Sequence, residues 1–329
     1  MKIGITFAGQ GAQYPGMGND LYRTYDSAKQ IFDMAGEQVK AWCFEGDEET
    51  LKQTHVTQPC VYTVTMAAYK AFLEALEKEG LADDVEIIGY AGFSLGEYSA
   101  LTATGAIDEI KKGMEIVTTR GQLMNQAGLD ADGQPRGKMA AAMGKREPIL
   151  EVVEETRENG ILEGVNFNSP SQTVVAGDKE AIERFVKAAK EKKVRATVLP
   201  VGTAFHSPMM VPAAEKLKNV LKDAGLKAPR GKIYANITAE DMMKDFEGGS
   251  PGDYLADVMS RQAMNPVYWE ETIRNFKKDG AEALVEIGPG KTLSGLAKKT
   301  EPELGRFHIE NAESLQETIE GLKALKEGE

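Results

Sequence analysis

The chain has 329 residues, 42% of them hydrophobic and 27% charged, which is the ordinary balance of a globular protein with one large domain and a smaller one. Its formal net charge of −12 is diffuse, which argues against nucleic acid as the main partner because phosphate recognition needs clustered Lys and Arg. Cys43 and Cys60 do not make a disulfide framework, and neither a signal peptide nor an apolar run of ~18 residues is evident, so we expect a cytoplasmic protein with no membrane partner.

The first part of the chain predicts strands that alternate with helices. In chain order these are a strand at 2–7, helices at 26–39 and 59–76, a strand at 85–90 and a helix capped by Asp108. The first strand breaks at a glycine-flanked Gln10, and the strand at 85–90 runs directly into small residues that open a helix. This alternation favours a mainly parallel sheet.

A polar linker with Gly and Pro at 129–136 marks a change of pattern. The elements that follow have the order β-α-β-β-α-β of a ferredoxin-like unit. They are a strand at 138–143, a helix at 147–158, strands at 165–168 and 173–176, a helix at 178–191 and a strand at 194–199. We therefore predict a ferredoxin-like small domain at 129–198, inserted into a large α/β catalytic domain made of 1–128 and 199–329.

The large-domain pattern returns after residue 200. It predicts a strand at 233–236, helices from Asp253 and from Pro266, a strand at 283–287 and a terminal helix at 313–326. The fold class that follows is α/β, with an α/β-hydrolase-like large domain and a mainly parallel sheet.

The run Gly92-Phe93-Ser94-Leu95-Gly96 has the G-x-S-x-G pattern of a nucleophile elbow. It lies between a predicted strand and a predicted helix, which is the context that this motif requires. The small flanking residues permit a sharp turn, and the helix N-terminus supplies N–H groups for a developing oxyanion. Ser94 is the candidate nucleophile, although an ordinary strand–helix turn can also contain serine.

A serine nucleophile requires a general base, and the chain has three histidines. His206 follows a predicted strand, where a loop can reach the sheet edge. Hydrolases with this elbow have the chain order Ser, acid, His, which makes His308 the rival base with an acid such as Asp253 between them. His55 precedes a predicted helix and is expected to be a surface or capping residue.

Two further polar residues are candidates for the site. Gln10 follows the first strand and should lie at the same sheet edge as Ser94, where it can supply an oxyanion donor. The glycine spacing around it departs from that of a dinucleotide-binding loop. Arg120 lies on the helix after the elbow beside Gly121 and Met124, so a packed helix face would leave it in need of an anionic ligand.

Together these segments resemble the malonyl-CoA:acyl-carrier-protein transacylase family. The matching runs are FAGQGAQYPGMG, TQP at 57–59, GFSLGEYSAL at 92–101, TRGQLM at 119–124, VNFNSP at 165–170, AFHSP at 204–208, RQAMNPVYW at 261–269 and EIGPG at 286–290. They occur in the order of the family and cover nearly the whole chain. The resemblance also implies the inserted ferredoxin-like unit.

The resemblance implies a role for each matched site residue. Ser94 attacks the malonyl thioester, and His206 takes its proton and returns it to the leaving thiol. The backbone carbonyl of Gln262 orients the histidine, so no acidic triad member is needed. Gln10 and the Leu95 N–H form the oxyanion hole.

Specificity residues are implied in the same way. Arg120 pairs with the free malonyl carboxylate, and Asn168 matches a substrate-binding position near the site. Phe205 resembles the arrangement associated with malonyl over methylmalonyl, although one methyl group is worth only ~1–3 kcal/mol of discrimination. The chain departs from the family at Phe93, where His is usual, and at Ala8, where Pro is usual.

The implied reaction is ping-pong transfer of malonyl from coenzyme A to the phosphopantetheine thiol of acyl carrier protein, which supplies extender units for fatty-acid synthesis. The resemblance implies no metal and no bound cofactor, and we expect a monomer. Lys291 or Lys138 near the site mouth are candidate contacts for the acidic carrier protein. A polyketide pathway, a serine hydrolase that uses His308, and a non-enzymatic docking module remain alternatives.

Overall fold

The computed structural model describes residues 1–328. In chain order the strands are β1 (Lys2–Phe7), β2 (Glu86–Gly92), β3 (Gly137–Met143), β4 (Leu162–Ser169), β5 (Gln172–Asp178), β6 (Arg195–Val198), β7 (Ile233–Tyr234), β8 (Ala283–Ile287) and β9 (Gly305–Ile309). The first seven helices are α1 (Asn19–Thr24), α2 (Asp26–Ala35), α3 (Glu37–Glu45), α4 (Glu48–Leu51), α5 (Thr54–Lys78), α6 (Gly96–Ala103) and α7 (Ile110–Ala127). The other seven are α8 (Arg146–Thr156), α9 (Lys179–Glu191), α10 (Val211–Asp223), α11 (Pro251–Gln262), α12 (Trp269–Lys278), α13 (Thr292–Thr300) and α14 (Ala312–Glu327).

The larger sheet has the strand order β7-β2-β1-β8-β9, and all its neighbouring strands are parallel. Apolar side chains of β1 and β8 are fully buried beneath the long helix α5, which is itself buried along most of its length. In the register of the central pair, Phe7 at the end of β1 lies opposite Gly92 at the end of β2. The loops that follow these two strands therefore meet at one edge of the sheet, as parallel pairing requires.

The smaller sheet has the order β4-β5-β3-β6, with every neighbouring pair antiparallel. Helices α8 and α9 cover one face, and their buried side chains, such as Val152, Ile182 and Phe185, form a separate core. This topology is that of a ferredoxin-like unit and confirms the predicted fold class. The boundaries of 129–198 for a separate domain stay a prediction.

The small sheet is fastened to the larger unit by backbone and side-chain contacts. The N–H of Phe167 on β4 donates to the Val267 carbonyl at 2.9 Å, and Val267 N–H donates to Val165 O at 2.8 Å. Arg146 on α8 pairs with two carboxylates of α12, those of Glu270 at 3.0 Å and Glu271 at 2.6 Å. This junction places β4 beside the segment that follows α11.

Two predictions of helices need correction. The helix expected at 26–39 is divided between α2 and α3 at Gly36, whose φ of 87° is a backbone conformation that favours glycine. Asp108 does not cap α7: the cap position is Glu109, and the Asp108 carboxylate instead pairs with Lys112 and Lys227. These two lysines hold the pKa of Asp108 well below its usual range.

Three further differences concern strands and helices of the larger unit. The strand predicted at 233–236 stops after Tyr234, and its last two residues turn towards the elbow. Helix α5 begins five residues before the predicted start at Pro59, which lies inside it. The structure also contains α1, α4, β9, α10 and α13, which the sequence analysis did not predict.

Candidate active site

Ser94 occupies the turn between the end of β2 at Gly92 and the start of α6 at Gly96. Its φ of 51° lies in the left-handed region that residues other than glycine rarely adopt. A Cβ atom added at Gly92 would lie 1.9 Å from the Gly96 carbonyl carbon, and one added at Gly96 would lie 2.2 Å from the Phe7 carbonyl oxygen. Close packing therefore requires both glycines, and the predicted strand–turn–helix arrangement is present.

His206 lies against the Ser94 hydroxyl, with Nε2 at 2.8 Å from Oγ. On the other side of the ring, Nδ1 lies 2.9 Å from the Gln262 carbonyl and 3.2 Å from the Asn265 carbonyl. Carbonyl oxygens only accept hydrogen bonds, so Nδ1 carries the proton and Nε2 is free to accept from the serine. Burial, followed by the charge of Arg120, lowers the pKa of His206 to about 4, so the ring is neutral at pH 7.

Arg120 on α7 is 1% exposed, and its guanidinium points at the same hydroxyl. Nη2 donates to Ser94 Oγ at 3.1 Å and to Gln262 Oε1 at 3.2 Å, and Nη1 donates to Gln58 Oε1 at 2.9 Å. All three partners are neutral, and Nε has no hydrogen-bond partner within residues 1–328. Burial lowers the pKa of this guanidinium, yet an arginine keeps its charge in proteins. The site thus contains a buried cation that lacks an anionic partner at its hydrogen-bonding atoms.

A cavity of about 520 Å³ opens above these three side chains. Ser94, Arg120 and His206 all line it. The rest of its wall is largely apolar and includes Tyr14, Leu51, Phe93, Met124, Met139, Leu199 and Phe205. A pocket that is apolar with a few convergent polar groups is the usual form of a small-molecule site.

The two predicted oxyanion donors lie beside the elbow. A Cβ atom at Gly9 would be only 2.3 Å from the Phe93 carbonyl oxygen, so the loop that carries Gln10 closely approaches the Ser94 turn. The Gln10 side chain donates to Thr54 Oγ1 at 3.3 Å and lines the cavity. Within residues 1–328, the backbone N–H groups of Gln10 and Leu95 make no hydrogen bond and remain available to a ligand.

Asn168 lies in a neighbouring cavity of about 240 Å³ rather than in the wall of the larger one. Its Nδ2 donates to Gln172 Oε1 at 2.9 Å, while its buried Oδ1 has no partner within residues 1–328. Asn166, two residues earlier on β4, lines both cavities and also has a buried Oδ1 without a partner in that range. Asn166, rather than the predicted Asn168, therefore shares a cavity with Ser94, Arg120 and His206.

Two aromatic rings border the nucleophile. Phe205 is 9% exposed and forms part of the cavity wall directly before His206. Phe93 lies between the two cavities and packs edge-to-face on the buried Trp269 ring, with centroids 5.3 Å apart. The residue before the nucleophile thus packs into the core, although sequence analysis assigned it no role.

The structure does not bring the rival residues to Ser94. His308 lies on β9 at the edge of the larger sheet, where Nε2 is 3.7 Å from Glu310 Oε1. Asp253 lies in the first turn of α11, close to Lys222. Neither lines the cavity, and His55 lies in the first turn of α5, so the hydrolase arrangement with His308 as the base is wrong for this fold.

Sequence analysis missed four side-chain functions at the site. Gln58 and the Gln262 side chain hold Arg120, as described above, and Asn236 accepts from Ser94 N–H at 2.8 Å. Glu97 is 1% exposed, and burial raises its pKa to about 8. Gln58 and Glu97 lie within the matched runs TQP and GFSLGEYSAL, which was the available signal, whereas no motif marked Asn236.

The two lysines predicted near the mouth differ in their surroundings. Lys138 on β3 is occupied by an ion pair with Glu183 at 2.8 Å. Lys291 is exposed just before α13. Within residues 1–328, Lys291 makes no such ion pair, and its contact with a partner stays a prediction.

A serine held at a strand–helix turn of a parallel sheet, with a neutral histidine on its hydroxyl, is the arrangement of enzymes that carry acyl groups on serine. Within residues 1–328, no group of three or more His, Cys, Asp or Glu side chains is placed to hold a metal ion. None of the helices in that range has the length and apolarity needed to cross a membrane.

Comparison with known proteins defines the family. The acyl transferase domain family matches residues 6–321. The malonyl CoA-acyl carrier protein transacylase of Bacillus subtilis is 36% identical over 98% of each chain. The crystal structure of the transacylase of that name from Clostridium perfringens has a TM-score of 0.88 at 34% identity and covers 99% of this chain and 98% of its own.

A third similar structure is a malonyl-transacylase in complex with its type II polyketide acyl-carrier protein. Its TM-score is 0.86 at 33% identity, with 98% of this chain and 100% of that chain covered. The chain belongs to the acyl transferase family, among the malonyl CoA-acyl carrier protein transacylases, and it is an acyltransferase.

Proposed function

We propose that the chain transfers malonyl from malonyl-CoA to the phosphopantetheine thiol of acyl carrier protein through a malonyl-Ser94 intermediate, and so supplies extender units for fatty-acid synthesis. The observation that supports malonyl as the acyl group is the environment of Arg120. This buried guanidinium adjoins the Ser94 hydroxyl, and its hydrogen-bond partners are all neutral. A carboxylate on the acyl group would give this cation the anionic partner that it lacks. Acetyl would leave the cation without one.

In the first half-reaction, Ser94 Oγ attacks the thioester carbon while His206 Nε2 takes the hydroxyl proton. The Gln262 and Asn265 carbonyls accept from Nδ1–H and stabilise the imidazolium that forms. The Gln10 and Leu95 N–H groups would donate to the tetrahedral oxyanion. Collapse breaks the carbon–sulfur bond, and His206 returns the proton to the coenzyme A thiolate.

The second half-reaction reverses these roles. His206 Nε2 takes the proton of the phosphopantetheine thiol, and the thiolate attacks the ester carbon of malonyl-Ser94. The carbon–oxygen bond to Ser94 then breaks, and Oγ regains the proton from His206. Every step is proton transfer or acyl transfer between groups named here, so the scheme needs neither a metal nor a bound cofactor.

A cytoplasmic location goes with this proposal. Cys43 and Cys60 are both free and buried, with Cys43 Sγ at 3.9 Å from the Cys60 carbonyl oxygen. Buried free thiols are typical of proteins in reducing compartments. The proposed partner is acyl carrier protein, and the monomeric state remains as predicted from the sequence.

The test is incubation with malonyl-CoA that carries a radiolabel in the malonyl group. We expect covalent label at Ser94 in the wild type, none in Ser94→Ala, and release of the label by holo-acyl carrier protein. Ser99→Ala is the matched control, because Ser99 lies buried on α6, the helix that follows the Ser94 turn, and outside the cavity. An unlabelled wild type, or equal label in Ser94→Ala, would overturn the proposal.

A further inference from the structure

Asn236 lies two residues beyond the end of β7, and its side-chain amide forms hydrogen bonds with the elbow. Oδ1 accepts from Ser94 N–H at 2.8 Å, and Nδ2 donates to the Gly92 carbonyl at 2.7 Å. The residue is fully buried and does not line the cavity. One side chain thus connects Gly92, the last residue of β2, with the nucleophile Ser94.

These two hydrogen bonds are formed at a point where the backbone is strained. Ser94 has a left-handed φ of 51°, a conformation that persists only where the surroundings enforce it. The Ser94 carbonyl is also held by a side chain, because it accepts from Gln262 Nε2 at 2.7 Å. Both backbone polar groups of the nucleophile are therefore bound by side chains from a distant part of the sequence.

Asn236 is itself fixed at both backbone atoms. Its N–H donates to Glu97 Oε1 at 2.9 Å, and its carbonyl accepts from Tyr268 N–H at 2.8 Å. Glu97 lies in the first turn of α6, directly after the elbow. The elbow, the end of β7 and the segment before α12 are thereby joined through this one residue.

We propose that Asn236 is a positioning residue that holds Ser94 in its left-handed conformation and so aims Oγ at His206 Nε2. Glu97 supports it by fixing the Asn236 backbone. The role needs an acceptor for Ser94 N–H and a donor for Gly92 O in one planar group, which a side-chain amide supplies. The inference rests on the proposed function only through the acylation assay below.

The first test compares Asn236→Ala with Asn275→Ala. Asn275 Nδ2 donates to the Ala239 carbonyl at 2.7 Å, so its loss weakens the same loop without touching the elbow. We expect Asn236→Ala to lower the rate of Ser94 acylation by about 100-fold, the order of loss that misplacement of a reacting atom causes. Asn275→Ala should retain the wild-type rate.

A measurement of substrate binding distinguishes the loss of Ser94 positioning from a general loss of structure at the site. In the Ser94→Ala background, Asn236→Ala should leave the Kd for malonyl-CoA unchanged, because Asn236 does not reach the cavity. Inactivation by a small sulfonyl fluoride reports the reactivity of Ser94 without any acyl substrate, and it should slow in Asn236→Ala. This second assay stands even where the proposed substrate is wrong, so the two proposals can fail separately.

Asn236→Asp provides a conservative rescue. A protonated aspartic acid can accept from Ser94 N–H and donate to Gly92 O, whereas the ionised form repels that carbonyl. Glu97 contacts the backbone at this position, and Arg120 and His206 lie one residue further away, across Gln262. The acylation rate of Asn236→Asp relative to the wild type should therefore rise as the pH falls.

The proposal is overturned if Asn236→Ala acylates and reacts with the sulfonyl fluoride at the wild-type rate. It is also overturned if Asn275→Ala loses as much activity as Asn236→Ala, or if the Asn236→Asp ratio is flat with pH. If Asn236→Ala does not fold, the decision rests on Asn236→Asp, whose shape is that of asparagine, with circular dichroism to verify its fold.

Discussion

Arg120→Met removes the guanidinium charge while it keeps much of the side-chain volume in a fully buried position. In the wild type, Nη2 lies 3.1 Å from Ser94 Oγ, so a malonyl group on that oxygen brings its carboxylate within reach of the cation. In the variant the same carboxylate would be buried without a partner. Malonyl and acetyl substrates should therefore respond differently to this substitution.

The expected fall in kcat/KM follows from the loss of two interactions. Removal of one partner from a buried charge pair costs about 3–5 kcal/mol, and each 1.4 kcal/mol is a factor of ten, so this loss alone should lower kcat/KM for malonyl-CoA by about 100- to 4,000-fold. Loss of the hydrogen bond to Ser94 Oγ is common to both substrates, and a bond to a charged group is worth about 1.5–3 kcal/mol. The ratio of the malonyl to the acetyl value of kcat/KM isolates the first loss and should fall by about 100- to 4,000-fold.

The assay measures transfer to holo-acyl carrier protein from malonyl-CoA and acetyl-CoA in parallel, with thermal unfolding as a control for folding. We expect the stability of the variant to stay close to that of the wild type, because removal of a buried charge without an anionic partner offsets the loss of the donors to Gln58 Oε1 and Gln262 Oε1. The malonyl-to-acetyl ratio of Arg120→Lys should lie between those of the wild type and Arg120→Met, since lysine keeps the charge and loses the planar guanidinium. An equal decline with both substrates would refute the carboxylate role.

The remaining predictions concern the base, pH and the carrier protein. His206→Ala should abolish acylation and His308→Ala should retain it, measured with labelled malonyl-CoA; equal activity of the two variants would contradict the assigned base. Because the pKa of His206 is lowered to about 4, the acid limb of the kcat/KM profile should lie near pH 4 and move upward in Arg120→Met, which removes one cause of the lowering. The same lowered pKa makes the unfolded chain bind more protons at His206 than the folded chain between pH 6.5 and 4, so the free energy of unfolding of the wild type relative to His206→Ala should decrease as the pH falls through that range. The comparison with His206→Ala cancels the opposite contribution of Glu97, whose pKa is raised to about 8. Transfer to carrier protein should weaken with added salt and in Lys291→Glu, and kinetics that do not change with salt would count against that contact.

Much of the fold was predictable because its strands and helices have simple patterns. The apolar runs of β1 and β8 gave the correct bounds, and the alternation at 138–199 gave the ferredoxin-like order. Strand β9 was missed because it is an edge strand of partly buried residues, with Arg306 and His308 in its sequence. Such a strand is defined by its pairing with β8 rather than by its own hydrophobicity.

The candidate active site was likewise predictable only in part. Ser94, His206 and Arg120 were predictable because a local motif, a scarcity of histidines and a family resemblance marked them. Asn236 was not, since its partner Ser94 is 142 residues away in the chain and the contact depends on a strand that ends two residues early. Local propensity predicted a strand there, whereas the structure ends the strand at Tyr234 and engages Asn236 in hydrogen bonds with Ser94, Gly92 and Tyr268.

The electrostatics of the site link selection of the acyl group to activation of the nucleophile. The titratable neighbours of Arg120 are Glu97, Tyr98 and His206. Burial favours the neutral form of each: it raises the pKa of Glu97 to about 8 and that of Tyr98 to about 12, and it lowers that of His206 to about 4. Arg120 therefore keeps a charge that none of these neighbours compensates at neutral pH. A malonyl carboxylate that pairs with Arg120 removes one of the two causes that lower the pKa of His206, and so strengthens the base that activates Ser94. Acetyl cannot do this, so discrimination between the two substrates should be present in kcat as well as in KM.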